Sequence, residues 1–311
     1  MKVWKTIYEA ERELNAAHSQ TVVTVGNFDG VHLGHQAIMS QVTRIAKTHQ
    51  WLGLVLTFSN HTESFLGKAP PLLNTPAIRR ALLAEQGIDA VLEVEFDHAF
   101  AELDPAVFFQ KWLVEGLKVQ AMVVGYDFRF GTGGQGDFAL LRNLCQQSQI
   151  RLEQVRPVQV DGITVSSSAI RKYLAAGEIE IANQLLGYSF HIITEVIAGE
   201  QRGRKMGFPT ANLFLDESYL LPRYGVYLVR VSSTGQIFYG VANVGVKPTF
   251  DGQVPLVEVY LLDTSINLYH RQVQVDFLYY LRPEVRFGGM TELQEQIQQD
   301  VARARELLSR L

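Results

Sequence analysis

The feature that most constrains this fold is a change in the pattern of apolar segments near residue 187. Before that point, short apolar runs alternate with segments of helical spacing. The runs lie at residues 21–28, 52–58, 90–96, 121–125 and 151–155. Strands that are apolar on both faces and separated by helices are typical of a parallel sheet covered by helices. The first part of the chain is therefore predicted to be a doubly wound, Rossmann-like α/β domain.

Helix starts in this part of the chain carry a recognisable signal. Thr75 and Asp104 are each followed by proline, the combination of an N-cap residue with proline at the first helical position. Further helices are predicted at residues 35–50 and 137–149, and two short helices joined at Gly177 end this part. The helices fall between the strands, as the α/β prediction requires.

After residue 187 the apolar segments are strands with almost no helix between them. They are predicted at residues 192–197, 227–231, 238–244, 257–262 and 273–280. Short intervals rich in turn residues separate them, which is typical of a small β-barrel. A last helix begins at Thr291, and its apolar residues lie on one face. The sequence predicts two domains, residues 1–186 and residues 187–311.

Charge and composition argue against several kinds of partner. The chain has 28 Lys and Arg against 32 Asp and Glu, a net charge of −4, and so lacks a basic field that would attract nucleic acid or an anionic membrane. No apolar run approaches the roughly 18 residues that span a bilayer. Cys145 is the only cysteine, which excludes an internal disulfide. We expect a cytoplasmic protein, a monomer by default, with neither nucleic acid nor membrane as a partner.

The densest group of reactive side chains runs from Gly26 to His35, where the first predicted strand gives way to a helix. It reads Gly-Asn-Phe-Asp-Gly-Val-His-Leu-Gly-His. Glycines let the backbone approach phosphates, and free amides at a helix start bind anions. His32 and His35 can donate hydrogen bonds to phosphate oxygens. Two alternatives are solvated or structural histidines and a zinc site, but no third zinc ligand of suitable spacing stands out.

This segment resembles the signature of the FMN adenylyltransferase module of bacterial riboflavin biosynthesis proteins, within the HxGH nucleotidylyltransferase group. Residues 56–61, 124–137 and 165–171 resemble three further motifs of that family, in the same order. The resemblance implies that His32 and His35 act in catalysis. It also implies that ATP, phosphate and flavin are bound by Gly26, Asn27, Phe28, Asp29, Gly30, His61, Asp127, Ser167, Ser168 and Arg171.

The last of these motifs also has a physical interpretation. Three serines, residues 166–168, are predicted to precede a helix whose first turn holds Arg171. Hydroxyls and free amides at that position can cap the helix or bind phosphate, and an arginine can bind an anion through two nitrogens. Capping alone is the simpler interpretation of the serines. Together with the other three motifs, phosphate binding is favoured.

Residues 203–212, Gly-Arg-Lys-Met-Gly-Phe-Pro-Thr-Ala-Asn, resemble the signature of riboflavin kinases. Segments at 222–227, 240–245, 248–250 and 281–287 continue that resemblance. It implies that Thr210 and Asn212 meet Mg²⁺ and the ATP phosphates, and that Glu258 is the general base. It further implies ATP or flavin contacts by Gly207, Pro209 and Arg286. Without the resemblance, the alternation of Glu258 with Val257 and Val259 indicates only an outward-facing strand residue.

Taken together, the resemblances predict a bifunctional enzyme. It would phosphorylate riboflavin to FMN and adenylylate FMN to FAD, with ATP, riboflavin and FMN as substrates and Mg²⁺ as cofactor. Asn60 and Thr62 replace family prolines, which is expected to loosen the turn at His61. Gly134 stands where many relatives carry arginine, and His270 replaces the glycine of a turn. A riboflavin kinase with a weak or silent adenylyltransferase is therefore an alternative, and a non-catalytic flavin sensor is a third.

Overall fold

The structure is a computed structural model of the 311-residue chain. It describes residues 1–63, 69–197, 208–215, 220–249, 252–264 and 266–310, with the backbone alone at 247–249 and 252–254. Two compact units divide the chain, Met1–Ser167 and Ser168–Leu311. The division lies before the helices that the sequence analysis assigned to the first domain.

The first unit is built on a six-stranded sheet whose neighbouring strands are all parallel. Its strands are β1 (Lys2–Trp4), β2 (Thr21–Val25), β3 (Leu52–Phe58), β4 (Ala90–Val94), β5 (Val119–Gly125) and β6 (Arg151–Val155), in the spatial order β1-β4-β3-β2-β5-β6. A two-stranded antiparallel ribbon, β7 (Gln159–Val160) and β8 (Ile163–Thr164), follows. The parallel, doubly wound sheet predicted from the sequence is confirmed.

Helices connect these strands. They are α1 (Ile7–Ala16), α2 (Leu33–His49), α3 (Pro76–Glu85), α4 (His98–Ala101), α5 (Pro105–Val107) and α6 (Phe138–Gln147), with a π-helix, Phe108–Gly116, directly after α5. The Thr75 hydroxyl accepts the Ile78 amide at 3.3 Å, and the Asp104 carboxylate accepts the Ala106 amide at 2.8 Å. Both helix starts predicted from N-cap and proline are therefore confirmed.

The strand order creates a crevice at the carboxyl edge of the sheet. From β2 the chain builds β3 and β4 on one side and then returns to place β5 on the other side of β2. At such a switch point the loops that follow the two central strands run in opposite directions and leave room for a ligand. The loops after β2, β3 and β5 therefore meet at one edge.

Cys145 lies on α6 and packs into the core beneath the sheet, where it is 1% exposed. Its neighbours there include Leu141 and Ile150. Apolar burial disfavours the thiolate and raises the pKa of Cys145 to about 12.

The second unit contains α7 and α8 (Ile179–Leu186), a closed barrel and a last helix. Helix α7 is Ser167–Ala176, so its first residue belongs to the first unit. The barrel strands are β9 (His191–Ile197), β10 (Thr210–Leu213), β11 (Gly225–Ser233), β12 (Gln236–Thr249), β13 (Gly252–Leu261) and β14 (Gln272–Arg282). Their closed order is β10-β13-β12-β11-β14-β9, with antiparallel neighbours. The predicted barrel and C-terminal helix are confirmed.

Hydrogen bonds to backbone groups connect helices α7 and α8 to the barrel. The Arg223 amide donates to the Leu174 carbonyl at 2.8 Å. The Asn183 side chain donates to the Phe277 carbonyl at 2.8 Å and accepts the Phe190 amide at 2.7 Å. These bonds explain why the compact second unit begins at α7.

The last helix, α9 (Met290–Leu308), covers one outer face of the barrel. Its Val301 and Ala304 pack against Val226, Leu228 and Val241. A two-pronged ion pair anchors the same helix: Arg282 Nε lies 2.8 Å from Asp300 Oδ1, and Arg282 Nη2 lies 2.7 Å from Asp300 Oδ2. Fixing α9 in this way also fixes the end of β14.

Candidate active sites

The first site is formed by the loop between β2 and α2, as the sequence predicted. His32 is the N-cap of α2, and its Nδ1 accepts the backbone N–H of His35 at 3.3 Å. The two imidazoles are stacked, with centroids 3.6 Å apart and an interplanar angle of 14°. The ring edge of Phe28 meets His35 at 5.2 Å. The two histidines of the motif are thus adjacent at the start of a helix.

Backbone strain is concentrated in this loop. Phe28 has a φ of 48°, Gly30 of 87° and Val31 of 35°. A β-branched residue such as Val31 rarely adopts a positive φ, so the surrounding structure must hold it there. The Val31 amide donates to the Phe28 carbonyl at 3.2 Å, and Gln36 Nε2 donates to the Val31 carbonyl at 2.9 Å. Such strain is typical of functional sites.

The stacked pair depends on the glycine between the histidines. A Cβ atom placed on Gly34 would lie 3.2 Å from both Cε1 and Nδ1 of His32. That is closer than comfortable van der Waals contact. Any side chain at position 34 would therefore push the His32 ring.

The protonation state of His35 follows from its surroundings. Burial, and to a smaller extent the nearby His32, lowers the pKa of His35 well below 6.5. Its Nδ1 has no hydrogen-bond partner among the residues that the structure describes. At neutral pH this imidazole is uncharged, so it can donate one hydrogen bond to a phosphate oxygen.

Asp29 has a different environment from the histidines. It is 2% exposed, and its carboxylate accepts the amides of Leu73 at 2.9 Å and Asn74 at 3.2 Å. The Ser167 hydroxyl donates to the Asp29 carbonyl at 2.8 Å. The described contacts of Asp29 and Ser167 thus connect the β2–α2 loop to two other segments of the first unit. A ligand contact by either residue stays a prediction.

The turn that carries His61 follows β3, beside the β2 loop. Asn60 donates to the Phe96 carbonyl at 3.0 Å and accepts the Phe96 amide at 2.8 Å. The Thr62 hydroxyl accepts Nδ2 of Asn27 at 2.9 Å, and His61 Nδ1 accepts the Glu63 amide at 3.2 Å. Asn60 and Thr62 therefore each make side-chain hydrogen bonds in the turn, while the expectation that losing the prolines loosens it stays a prediction.

The third loop of this edge follows β5. Asp127 is exposed and stands two residues after Gly125, whose Cβ position lies 3.2 Å from Asp127 Oδ1. Gly134 has a φ of 66° in a short 3₁₀ turn, Thr132–Gly134. A left-handed backbone favours glycine over arginine. The local conformation thus suits the glycine at position 134.

Helix α7 begins at Ser167, so Ser167 and Ser168 lie in its first turn and only Ser166 precedes it. This corrects the expectation that all three serines come before the helix. Arg171 is the fifth helical residue, just past the first turn. Ser168 and Arg171 belong to the second unit, and their phosphate contacts stay predictions.

The second site is a row of polar side chains on the barrel. Asn212 on β10 is the direct cross-strand partner of Glu258 on β13, and Asn243 on β12 is the partner of Glu258 on its other side. Val257 and Val259 are buried and point to the opposite face. Glu258 therefore does face outward, and that position brings it between two amide side chains. Thr210 lies on the same face, two residues before Asn212.

Other predicted residues of this site are distributed as follows. Pro209 is exposed and immediately precedes β10, and Arg286 is exposed in the segment after β14. The Arg282 guanidinium lies 5.8 Å over the ring of Phe287 in that segment. Gly207 and residues 203–206 lie outside the described residues. His270 has a φ of 59°, which is the strain expected where relatives carry glycine.

Thr210 and Asn212 offer a hydroxyl and an amide oxygen on one face of β10, both half-buried or buried. Oxygen donors of this kind suit a hard cation that keeps water and substrate phosphate in its shell. The described part of the chain contains no group of three or more His, Cys, Asp and Glu residues that could hold a metal ion. A Mg²⁺ contact by Thr210 and Asn212 stays a prediction.

Two residues at these sites were missed by the sequence analysis. Arg79 on α3 is 2% exposed and hydrogen-bonds to the Asn27 carbonyl at 3.1 Å. Asn243 appeared only as part of a longer motif. A signal existed for Arg79, because helical spacing puts it on the face of the buried residues Leu82 and Leu83.

Comparisons with known proteins find one family domain in each part of the chain. A family model described as FAD synthetase matches residues 14–169, and one described as riboflavin kinase matches residues 186–308. A bifunctional riboflavin kinase/FMN adenylyltransferase of Haemophilus influenzae is 38% identical over 308 residues, covering 98% of each chain. Counterparts of that description from Escherichia coli and Bacillus subtilis are 38% and 36% identical, and cover 92% and 94% of each chain.

A solved structure described as a macrolide-efflux protein from Streptococcus pneumoniae matches with a TM-score of 0.86 and 30% identity, over 92% of this chain and 94% of that one. Within the residues that the structure describes, no helix has the length and apolar character to cross a membrane. The two family models together account for nearly the whole sequence, in the order that the motifs predicted. The chain belongs to the family of bifunctional riboflavin kinases/FMN adenylyltransferases.

Proposed function

We propose that this chain phosphorylates riboflavin to FMN at the row Asn212–Glu258–Asn243 and adenylylates FMN to FAD at the His32–His35 pair. The observation that carries the proposal is the presence of both family domains in one chain, each with its own cluster of polar side chains. Both reactions are in-line transfers to phosphorus. Neither requires a covalent intermediate with the protein, so catalysis comes from positioning and charge stabilisation.

For adenylyl transfer, the stacked histidines act as hydrogen-bond donors to the reacting phosphate. His35 is neutral at pH 7, because burial lowers its pKa, so its one N–H donates a hydrogen bond without adding a fixed charge. Free amides at the start of α2 and the glycine-containing loop at Gly26 and Gly30 provide further anion donors. These groups stabilise the charge that grows on the α-phosphate and on the leaving pyrophosphate.

The loop after β3 and the loop after β5 supply the remaining proposed contacts of the adenylyl site. His61 and Asp127 stand at the carboxyl ends of the strands that flank β2, which is where a doubly wound sheet binds ligands. Arg171 and Ser168 are proposed to bind phosphate from α7.

For riboflavin phosphorylation, Glu258 accepts the proton of the ribityl hydroxyl as it attacks the γ-phosphate. Its two cross-strand neighbours, Asn212 and Asn243, orient the carboxylate or the substrate. Thr210 and Asn212 hold Mg²⁺, which neutralises phosphate charge when bound. Pro209, Gly207 and Arg286 are proposed to complete the ATP and flavin contacts.

The two activities divide the chain at residue 187 in this proposal. The riboflavin kinase family model starts at residue 186, and the FAD synthetase model ends at residue 169. Helices α7 and α8 then link the catalytic regions, although they pack with the barrel. A cytoplasmic location and a monomeric state belong to the same proposal, and light scattering after size-exclusion chromatography tests the second.

The decisive test is a time course of the purified chain with riboflavin, ATP and Mg²⁺, in which riboflavin, FMN and FAD are separated by chromatography. FMN that appears first and is then converted to FAD supports both activities. FMN that accumulates without FAD would leave only the kinase activity. If neither FMN nor FAD forms, the flavin-sensor alternative is favoured.

His32→Ala should stop FAD formation and spare FMN formation. Glu258→Ala should stop FMN formation and spare FAD formation from supplied FMN. Loss of both activities in either variant, with the fold intact, contradicts the assignment.

A further inference from the structure

A buried arginine lies directly behind the proposed adenylyl site. Arg79 projects from α3 towards the carboxyl ends of β2 and β3, and its side chain is 2% exposed. We infer that Arg79 is a positioning residue for adenylyl transfer, which joins the loop after β2 to the end of β3 and so fixes the histidine motif. The inference rests on the proposed function of His32 and His35.

The contacts of Arg79 reach three neighbouring strands. Nη1 donates to the Asn27 carbonyl at 3.1 Å, and Nη2 donates to the Phe58 carbonyl. Nη2 also lies 3.4 Å from Oε1 of Glu93 on β4. Asn27 is the second residue of the β2–α2 loop, and Phe58 is the last residue of β3. One guanidinium thus connects two strand ends that carry proposed substrate contacts.

The bond to Asn27 belongs to a larger junction. The same Asn27 carbonyl accepts the Thr57 hydroxyl at 3.2 Å, and the Asn27 side chain donates to the Thr62 hydroxyl at 2.9 Å. Arg79 is therefore one of three side chains that hold Asn27, and its loss would free the strained loop before His32 to shift. The effect of Arg79 on catalysis is therefore indirect, through the position of the loop.

The arrangement is poor for stability alone. Burial lowers the pKa of Arg79 from its ordinary value, an effect that Glu93 opposes. Arg79 Nε has no hydrogen-bond partner among the described residues. Glu93 also pairs with Arg80 at 2.7 Å and with Lys5. A buried ion pair is often no more stable than apolar residues of similar size. Apolar residues could not orient the carbonyls of Asn27 and Phe58, and this orientation is the role that we infer for Arg79.

This difference between stability and orientation provides the test. The double variant Arg79→Met/Glu93→Met removes both fully buried charges together, and the other two partners of Glu93, Arg80 and Lys5, are partly exposed to solvent. We expect its thermal unfolding to stay close to that of the wild type, while kcat for FAD formation from FMN falls about 10- to 100-fold. Riboflavin kinase activity should be unchanged, since its proposed residues lie in the other unit.

Arg80→Met is the matched control. It also removes an ion pair to Glu93, but among the described residues the hydrogen bond of Arg80 goes to Glu93 and not to the carbonyls of Asn27 or Phe58. It should keep the wild-type kcat for FAD formation. If the double variant loses cooperative unfolding of the first unit, Arg79→Lys is used instead, because it keeps a charge opposite Glu93 but cannot reach both carbonyls with one nitrogen. A reduced kcat is expected there as well.

The outcomes separate this inference from the proposed function. A wild-type chain that makes no FAD from FMN would refute the adenylyltransferase assignment itself. A wild-type chain that makes FAD, with a stable double variant that makes it at the same kcat, would refute the positioning role alone. Equal losses of kcat in Arg80→Met and in the double variant would also overturn the positioning role, since both losses would then come from breaking the ion pairs of Glu93.

Discussion

Gly34→Ala tests whether the stacked histidines are the catalytic feature of the first site. The new Cβ would lie 3.2 Å from two atoms of the His32 ring. Comfortable contacts between carbon atoms begin at about 3.5 Å, so relieving this contact moves the ring by a few tenths of an ångström, roughly 0.3–0.5 Å. The bond from the His35 amide to His32 Nδ1 is already 3.3 Å long, so a further shift weakens it.

The substitution is expected to lower kcat while leaving the free energy of unfolding nearly unchanged. A misplacement of 1 Å can cost about 100-fold in rate, so a shift of roughly 0.3–0.5 Å predicts a loss of about 4- to 10-fold in kcat for FAD formation. Alanine is favoured over glycine inside a helix by about 1 kcal/mol. That gain offsets the cost of the close contact, so the free energy of unfolding should change by less than about 1 kcal/mol.

The assay measures FAD formation at saturating ATP and FMN, beside urea unfolding followed by tryptophan fluorescence. Ser40→Ala, at an exposed position of α2, is the control for helix propensity and should leave kcat unchanged. Riboflavin kinase activity monitors the second unit. A Gly34→Ala variant with unchanged kcat would show that the position of the His32 ring does not limit the reaction, and the reasoning would be wrong.

Three further predictions concern other parts of the chain. Asp300→Asn should lower the free energy of unfolding by about 2 kcal/mol in urea titrations, because it removes the charge paired with a largely buried Arg282; a loss under about 0.5 kcal/mol would indicate a screened pair. The folded-state pKa of His35 lies below 6.5, so the unfolded chain binds more protons and stability should fall as the pH drops below that value. His35→Gln should reduce this slope in urea titrations between about pH 5 and 7, and an unchanged slope would contradict it. Thr62→Val leaves Asn27 Nδ2 without its partner and should cost about 1 kcal/mol with a lower kcat for FAD formation, whereas Thr62→Ser should restore both.

Much of the architecture was predictable because local signals agreed with the fold. The bounds of β3 and β6 match the predicted strands, and proline after an N-cap residue marked the helices at Thr75 and Asp104. Strand β2, the first of the predicted strands, was expected to reach residue 28 but ends at Val25, and the positive φ of Phe28 shows that the extended backbone does not continue to that residue. Apolar residues continue past the strand because they pack in the loop.

Strand β1 and helix α1 were not predicted from the sequence, since they bury few residues. Strand β1 has one buried residue, Trp4, and α1 buries only Ala10 and Leu14. The capping box between Thr6 and Glu9 was the available signal for α1.

The candidate sites were predictable in their motifs but not in their geometry. Asn212 and Glu258 are far apart in sequence, and only the register of β10 against β13 makes them neighbours. Arg79 was missed for a related reason: helical spacing places it on the buried face of α3, but its partners, the carbonyls of Asn27 and Phe58, have no sequence signature. Interactions set by the pairing of distant strands cannot be deduced from local pattern alone.

The single buried thiol, Cys145, allows opening of the first unit to be measured by chemical labelling. Because the pKa of Cys145 is about 12, a reagent that attacks thiolates reacts slowly while α6 stays packed on the sheet. Labelling should therefore proceed through transient opening, at a rate that gives the population of open molecules. No other cysteine contributes to the signal. Adding FMN or ATP should slow the labelling if either binds the first unit, which offers a measure of ligand affinity that needs no turnover.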